Sequence, residues 1–112
     1  MNPGAENASR IRALNDAFRS TFIGGRALIT EGVRALGEDF ESATVEAVQT
    51  FRDFSSDNDP YGEHDFGSLA IEGHRVFWKI DYYDPDCRFG SEDPADPGQT
   101  TRVLTIMLAS EY

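Results

Sequence analysis

From Thr101 to Ala109 the chain runs Thr-Arg-Val-Leu-Thr-Ile-Met-Leu-Ala. As a strand, this stretch places Val103, Thr105 and Met107 on one face and Leu104, Ile106 and Leu108 on the other. A strand with two apolar faces belongs in the middle of a sheet, covered on both sides. It is the strongest constraint in the chain, because a sheet has to be assembled around it.

Flanking elements follow from periodicity. In Arg75–Tyr83, Val76, Trp78, Ile80 and Tyr82 share one face, while Phe77, Lys79, Asp81 and Tyr83 share the other. With Leu69–Glu72 this predicts a β-hairpin with Glu72-Gly73 at its tip. Arg26–Thr30 ends in β-branched residues and predicts a short strand reaching about Val33. A first helix is expected over Glu6–Ser20, where Ile11, Leu14 and Phe18 recur at helical spacing and Phe22 continues the stripe. Arg10, Arg12, Asp16 and Arg19 lie off that stripe, and Gly24-Gly25 stops the helix. A second helix is expected over Glu38–Phe54, with Leu36, Phe40, Ala43, Ala47, Phe51 and Phe54 on its apolar stripe and Val48 beside it. Glu38, Asp39 and Glu41 occupy its first turn, where the helix dipole favours negative charge. The expected fold class is therefore α+β, a sheet of about four strands, mainly antiparallel, with two helices. The 112 residues form one domain, 1–112, with 1–5 frayed. Eight Phe, four Tyr and one Trp supply a core despite a hydrophobic fraction of only 39%.

Two long stretches lack periodicity, Ser55–Gly67 and Asp84–Gln99. Long loops in a small domain often carry function. Twelve of the twenty carboxylates fall between Asp53 and Asp96, against three basic residues, and nine of those twelve lie in the two loops. Antiparallel pairing of the strand ending at Tyr83 with the one starting at Thr101 sets the second loop at one end of the sheet, and the first loop approaches that same end. A net charge of −10 excludes direct binding of a nucleic-acid backbone or an anionic membrane, both of which repel it. It favours a basic partner. The single Cys87 excludes an internal disulfide, and no apolar run approaches a membrane span, so a reduced cytoplasmic protein is expected.

Within the first loop, Glu63-His64-Asp65 joins the one histidine of the acidic region to two carboxylates. With Asp81, and with Tyr83 as hydrogen-bond donor, these residues would form an acid/base or metal-binding cluster. A structural reading stands beside it: Asp59-Pro60 and Gly62 set turns, His64 pairs with an acid, Phe66 anchors the loop, and Asp81 pairs with Lys79 on the sheet face. No metal and no cofactor are expected. Asp57-x-Asp59 followed by Gly62 begins like a calcium loop, but Tyr61 and Ser68 stand where ligands belong. A looser calcium or magnesium site would draw on Asp57, Asp59, Asp65, Asp84 or Asp86. The soft ligands His64, His74 and Cys87 have no zinc spacing.

Three stretches, Asn58–Gly67, Phe77–Asp84 and Thr101–Tyr112, resemble an uncharacterised bacterial family, domain of unknown function 3768; Leu14–Arg19 and Gly32–Leu36 resemble it too. The resemblance implies no chemistry. It implies a setting on proteobacterial plasmids and integrated mobile elements, and with it a host-interaction or anti-defence role.

Two function classes follow. The first is a non-enzymatic interaction module, with Asp57, Asp59, Glu63, Asp65, Asp84, Asp86, Glu92, Asp93 and Asp96 as an acidic binding face for a basic host protein. The alternative is a small hydrolase or nuclease-like enzyme using Glu63, His64, Asp65 and Asp81.

Overall fold

A computed structural model describes residues 3–112. Its elements, in chain order, are α1 (Pro3–Thr21), β1 (Gly25–Ile29), α2 (Glu31–Arg34), α3 (Glu38–Gln49), β2 (Phe66–Ile71), β3 (His74–Tyr83) and β4 (Thr101–Leu108). Short 3-10 turns at Pro97–Gln99 and Ala109–Glu111 bracket β4. Of the residues 1–5 expected to be frayed, Pro3–Ala5 form the start of α1, and Met1 and Asn2 lie outside the described residues.

The four strands form one sheet in the order β1-β4-β3-β2. The two-faced strand β4 is central, as its pattern requires: Leu104 and Ile106 are buried on one face, Val103 and Met107 on the other. β2–β3 and β3–β4 pair antiparallel, whereas β1 runs parallel to β4, so the sheet is mixed. Trp78, at the middle of β3, has no exposed surface and packs with Phe18, Val33, Phe40 and Val48 from the helical layer. Gly67 pairs with Trp78 across the hairpin, and a Cβ there would overlap the indole. The opposite sheet face carries Phe66 and Phe77, tilted against each other, with Tyr112 edge-on to both.

Several expected boundaries move. The strand predicted to reach Val33 stops at Ile29, and Glu31–Arg34 forms a third, short helix. Its first turn is held by a residue far along the chain. The Glu111 carboxylate accepts from the Thr30 hydroxyl at 2.7 Å, the Gly32 N–H at 3.1 Å and the Leu108 N–H at 2.8 Å. That carboxyl is held below its usual range chiefly by the Thr30 hydrogen bond. α3 ends at Gln49 instead of Phe54, yet Phe51 and Phe54 still place their rings edge-on to Trp78, at 5.5 and 6.1 Å. The buried stripe of α3 is Phe40, Thr44 and Val48, not Leu36, Ala43 and Ala47. Thr44 tolerates burial because its hydroxyl donates to the Phe40 carbonyl at 2.7 Å. β2 begins three residues earlier than expected, at Phe66.

Candidate functional site

Strand register decides where the loops go. Tyr83, the last residue of β3, pairs with Thr101, and Phe66, the first residue of β2, pairs antiparallel with Lys79, so that β2 is entered from the side at which β3 ends. Residues 50–65 and 84–100 therefore both meet the sheet at one end. Behind that end lies a buried polar network centred on Asn15 and Arg102, which are 0% and 3% exposed. The Asn15 amide donates to the Tyr82 hydroxyl at 2.8 Å and to the Glu63 carbonyl at 2.9 Å. Its oxygen accepts from Arg102 Nε at 2.7 Å. Arg102 also donates to the Pro94 carbonyl of the second loop and lies over the Tyr82 ring. Tyr82 passes its proton donor on to the Glu63 carboxylate at 3.1 Å. One buried arginine and one buried asparagine thus join α1, β3, β4 and both loops, with their polar groups satisfied as burial demands.

Burial sets the acid–base character of this network. Desolvation raises the Glu63 carboxyl above its usual range, against the opposing Tyr82 hydrogen bond. It raises Asp65 as well, with nearby Asp59 adding to the effect. It pushes the Tyr82 hydroxyl up and the Arg102 guanidinium down.

His64 takes the other direction. Its backbone has φ 54°, a left-handed conformation uncommon for a residue with a side chain, next to Gly62 at φ 69°. The ring leaves Glu63 and Asp65 and stacks on Phe54, with centroids 3.6 Å apart and planes within 4°. Nδ1 donates to Asp16 on α1 at 2.9 Å, and Nε2 lies 3.5 Å from Asp59, whose side chain is 7% exposed. Arg19 closes the arrangement. It donates to Asp16 and to the Phe51 carbonyl, both at 3.1 Å, with its guanidinium over Phe54 and Trp78.

The four residues of the enzyme reading are thus not brought together. Glu63 and Asp65 turn toward Tyr82, and His64 turns toward Asp16. Asp81 projects from the opposite sheet face, where it pairs with Lys79 at 2.9 Å. Among the described residues no three His, Cys, Asp or Glu side chains are grouped so as to hold a metal ion. The two carboxylates nearest His64 sit against opposite nitrogens of one ring, so they do not share a point with it.

The nine acids of the expected binding face divide by what they touch. Asp84 accepts from the Arg88 N–H at 2.9 Å, and Asp93 from the Ala95 N–H at 3.1 Å. Asp96 accepts from Gln99 and from the Gly98 N–H, which hold its carboxyl below the usual range. Asp59 holds His64, and Glu63 and Asp65 face inward. Asp57, Asp86 and Glu92 are exposed. Asn15, Asp16, Arg19 and Arg102 escaped the sequence reading. A signal for two of them existed: Asn15 and Arg19 follow Ile11 at four and eight residues, on the buried stripe of α1.

The sequence profile of a family described as "Protein of unknown function (DUF3768)" matches residues 29–111. The matched span holds both loops, Tyr82 and Arg102; Leu14–Arg19, with Asn15 and Asp16, lies before it. No curated protein and no solved structure matches. Among the described residues no helix is long and apolar enough to cross a membrane.

Proposed function

The chain belongs to the DUF3768 family, whose description assigns no activity, and on that footing we propose a non-enzymatic interaction module whose acidic end binds a basic protein of the host cell. The observation that carries this reading is the Asn15–Arg102 network, which fastens both acidic loops to one end of the sheet. Loops fixed in advance lose less conformational freedom on binding. The outward carboxylates Asp57, Asp86 and Glu92 then add to a field of one sign, which speeds encounter with a positive surface. An anti-defence role for such a module follows the implied mobile-element setting.

The enzyme reading has weaker support. A general base needs a free lone pair facing its substrate. Both ring nitrogens of His64 face carboxylates, and Asp81 belongs to the other side of the sheet.

The test is capture of partners from a host lysate at low and high salt, comparing the wild-type chain with the triple variant Asp57→Asn, Asp86→Asn, Glu92→Gln. The expected partner is basic, is retained by the wild type at low salt, and is lost both at high salt and in the triple variant. A partner held equally by both proteins at all salt concentrations would refute the acidic-end reading.

A further inference from the structure

A second feature has the opposite electrostatic character. Between α1, the segment following α3, and the outer side of His64 lies an open cleft of about 380 Å³. That volume falls at the small end of the range for small-molecule sites. Phe51 and Phe54 supply its apolar wall, and Arg52, Gln49, Asp16 and His64 its polar one.

The polar wall is unbalanced. Asp16, the carboxylate lining the cleft, is already neutralised: it accepts from Arg19 and from His64. Arg52 is exposed, and its side chain has no partner among the described residues. The Gln49 side-chain amide has none either. A guanidinium offers five N–H donors and no acceptor, and an amide adds two more donors. Unmet donors therefore outnumber unmet acceptors, with one uncompensated positive charge beside an aromatic wall. The complementary occupant carries acceptors and a negative charge on a flat or apolar body.

We infer that this cleft binds a small organic anion, a carboxylate or phosphate monoester on an aromatic or apolar body. The anionic group would meet the Arg52 fork and the Gln49 amide, and the body would lie against Phe51 and Phe54. Arginine is suited to this role because its planar fork matches two oxygens at once. The cleft shares the first loop with the acidic end, through Phe51, Arg52, Phe54 and His64, but differs in what it selects: it takes anions, and the outward carboxylates take cations.

The experiment titrates the whole chain with benzoate, phenyl phosphate, inorganic phosphate and benzylamine at millimolar concentrations. The readout is the NMR signals of Arg52 Nε–H, the Gln49 amide and the His64 ring. Benzoate or phenyl phosphate should shift these signals saturably, the tighter of the two identifying the preferred anionic group. Arg52→Ala should weaken binding about tenfold, the expected loss for a charge-assisted hydrogen-bonded contact. Gln49→Ala should weaken it less. Because Arg52 is exposed and unpaired, its variant is expected to fold as the wild type does, which the unperturbed remainder of the spectrum checks. The inference is overturned by the absence of saturable shifts, by tighter binding of benzylamine, or by affinity indifferent to Arg52→Ala. It is also overturned if inorganic phosphate binds as well as phenyl phosphate, because the aromatic wall would then contribute nothing.

Discussion

The two loops at the acidic end have the same acid content and are held by different physics. Residues 50–65 and 84–100 carry five carboxylates each. The first loop has turn bonds of its own around Asn58 and Asp59, and is held from outside as well. Arg12 donates to the Gly62 carbonyl at 2.9 Å, Asn15 to that of Glu63, Asp16 accepts from His64, and the Ile80 N–H reaches the Asp65 carbonyl at 2.8 Å. The second loop is held largely by itself: Asp84, Asp93 and Asp96 each accept a backbone N–H two to four residues on, and the Ser91 and Thr100 hydroxyls are 2.7 Å apart. Its main side-chain tie to the rest of the molecule is Arg102 to Pro94. Equal charge therefore does not mean equal role. Order in the first loop is coupled to the position of α1, whereas order in the second is largely local, tied to the strands by Arg102 and by the Ser91 N–H, which donates to the Tyr82 carbonyl at 3.0 Å.

The sharpest way to break the comparison is to remove the group the loops share. Arg102→Ala leaves Asn15 and the Pro94 carbonyl without their buried donor, and should destabilise the fold by about 3 kcal/mol in urea denaturation. Both loops should lose hydrogen-exchange protection together. Loss confined to the second loop would show that Asn15 holds the first loop without Arg102. His64→Ala comes next. It removes the stack on Phe54 and the ring's contacts with Asp16 and Asp59, leaving Asp59 only the backbone N–H of residue 64, for a cost of about 2 kcal/mol. Exchange should accelerate in residues 50–65 and stay unchanged in 84–100. Asp93→Ala should be milder, about 0.5–1 kcal/mol for one turn hydrogen bond, with the effect limited to its own loop. If it loosened the first loop instead, the claim of local order would fail.

The same distinction explains what was legible in the sequence. Strand alternation and the two-faced β4 are local patterns of period two, and they located the hairpin, the central strand and the shared sheet end. Turn chemistry in the second loop is local too, in Asp-Pro and Pro-Gly pairs. What stayed hidden depends on distant residues. α2 is secured by Glu111, 81 positions beyond Thr30, and the parallel pairing of β1 with β4 is set by a long crossover. Asp16 read as a solvent-facing helix residue because its partner His64 is 48 positions away. Arg19, expected off the apolar stripe, is buried on it; aromatic rings and the Phe51 carbonyl accommodate its charge. The placement of Ala43 on the buried stripe of α3 failed for a related reason, since Thr44 carries its own internal hydrogen bond and so enters the core.

The finest contrast is in the sign of the pH dependence. Burial raises the Glu63 carboxyl above its ordinary 4.5 and Asp65 above its ordinary 3.8. Between the ordinary and the raised values the folded chain holds more protons than the unfolded chain, so these two groups make stability fall as pH rises through that window. Asp96 behaves oppositely. Its hydrogen bonds from Gln99 and Gly98 lower it below 3.8, so it contributes stability above that value, lost as pH falls through the lowered one. One loop thus titrates against the fold and the other with it. Glu63→Gln keeps an oxygen that can accept from Tyr82 while removing the charge. Its urea midpoint should fall less as pH rises above the ordinary carboxyl value of 4.5 than that of the wild type. Asp96→Asn should flatten the profile only at the acid end. Superimposable profiles for the wild type and Glu63→Gln would mean that this carboxylate is as well solvated in the folded chain as in the unfolded one. The inward role assigned to the first loop's acids would then be wrong, even if the hydrogen-bonded network around Asn15 is right.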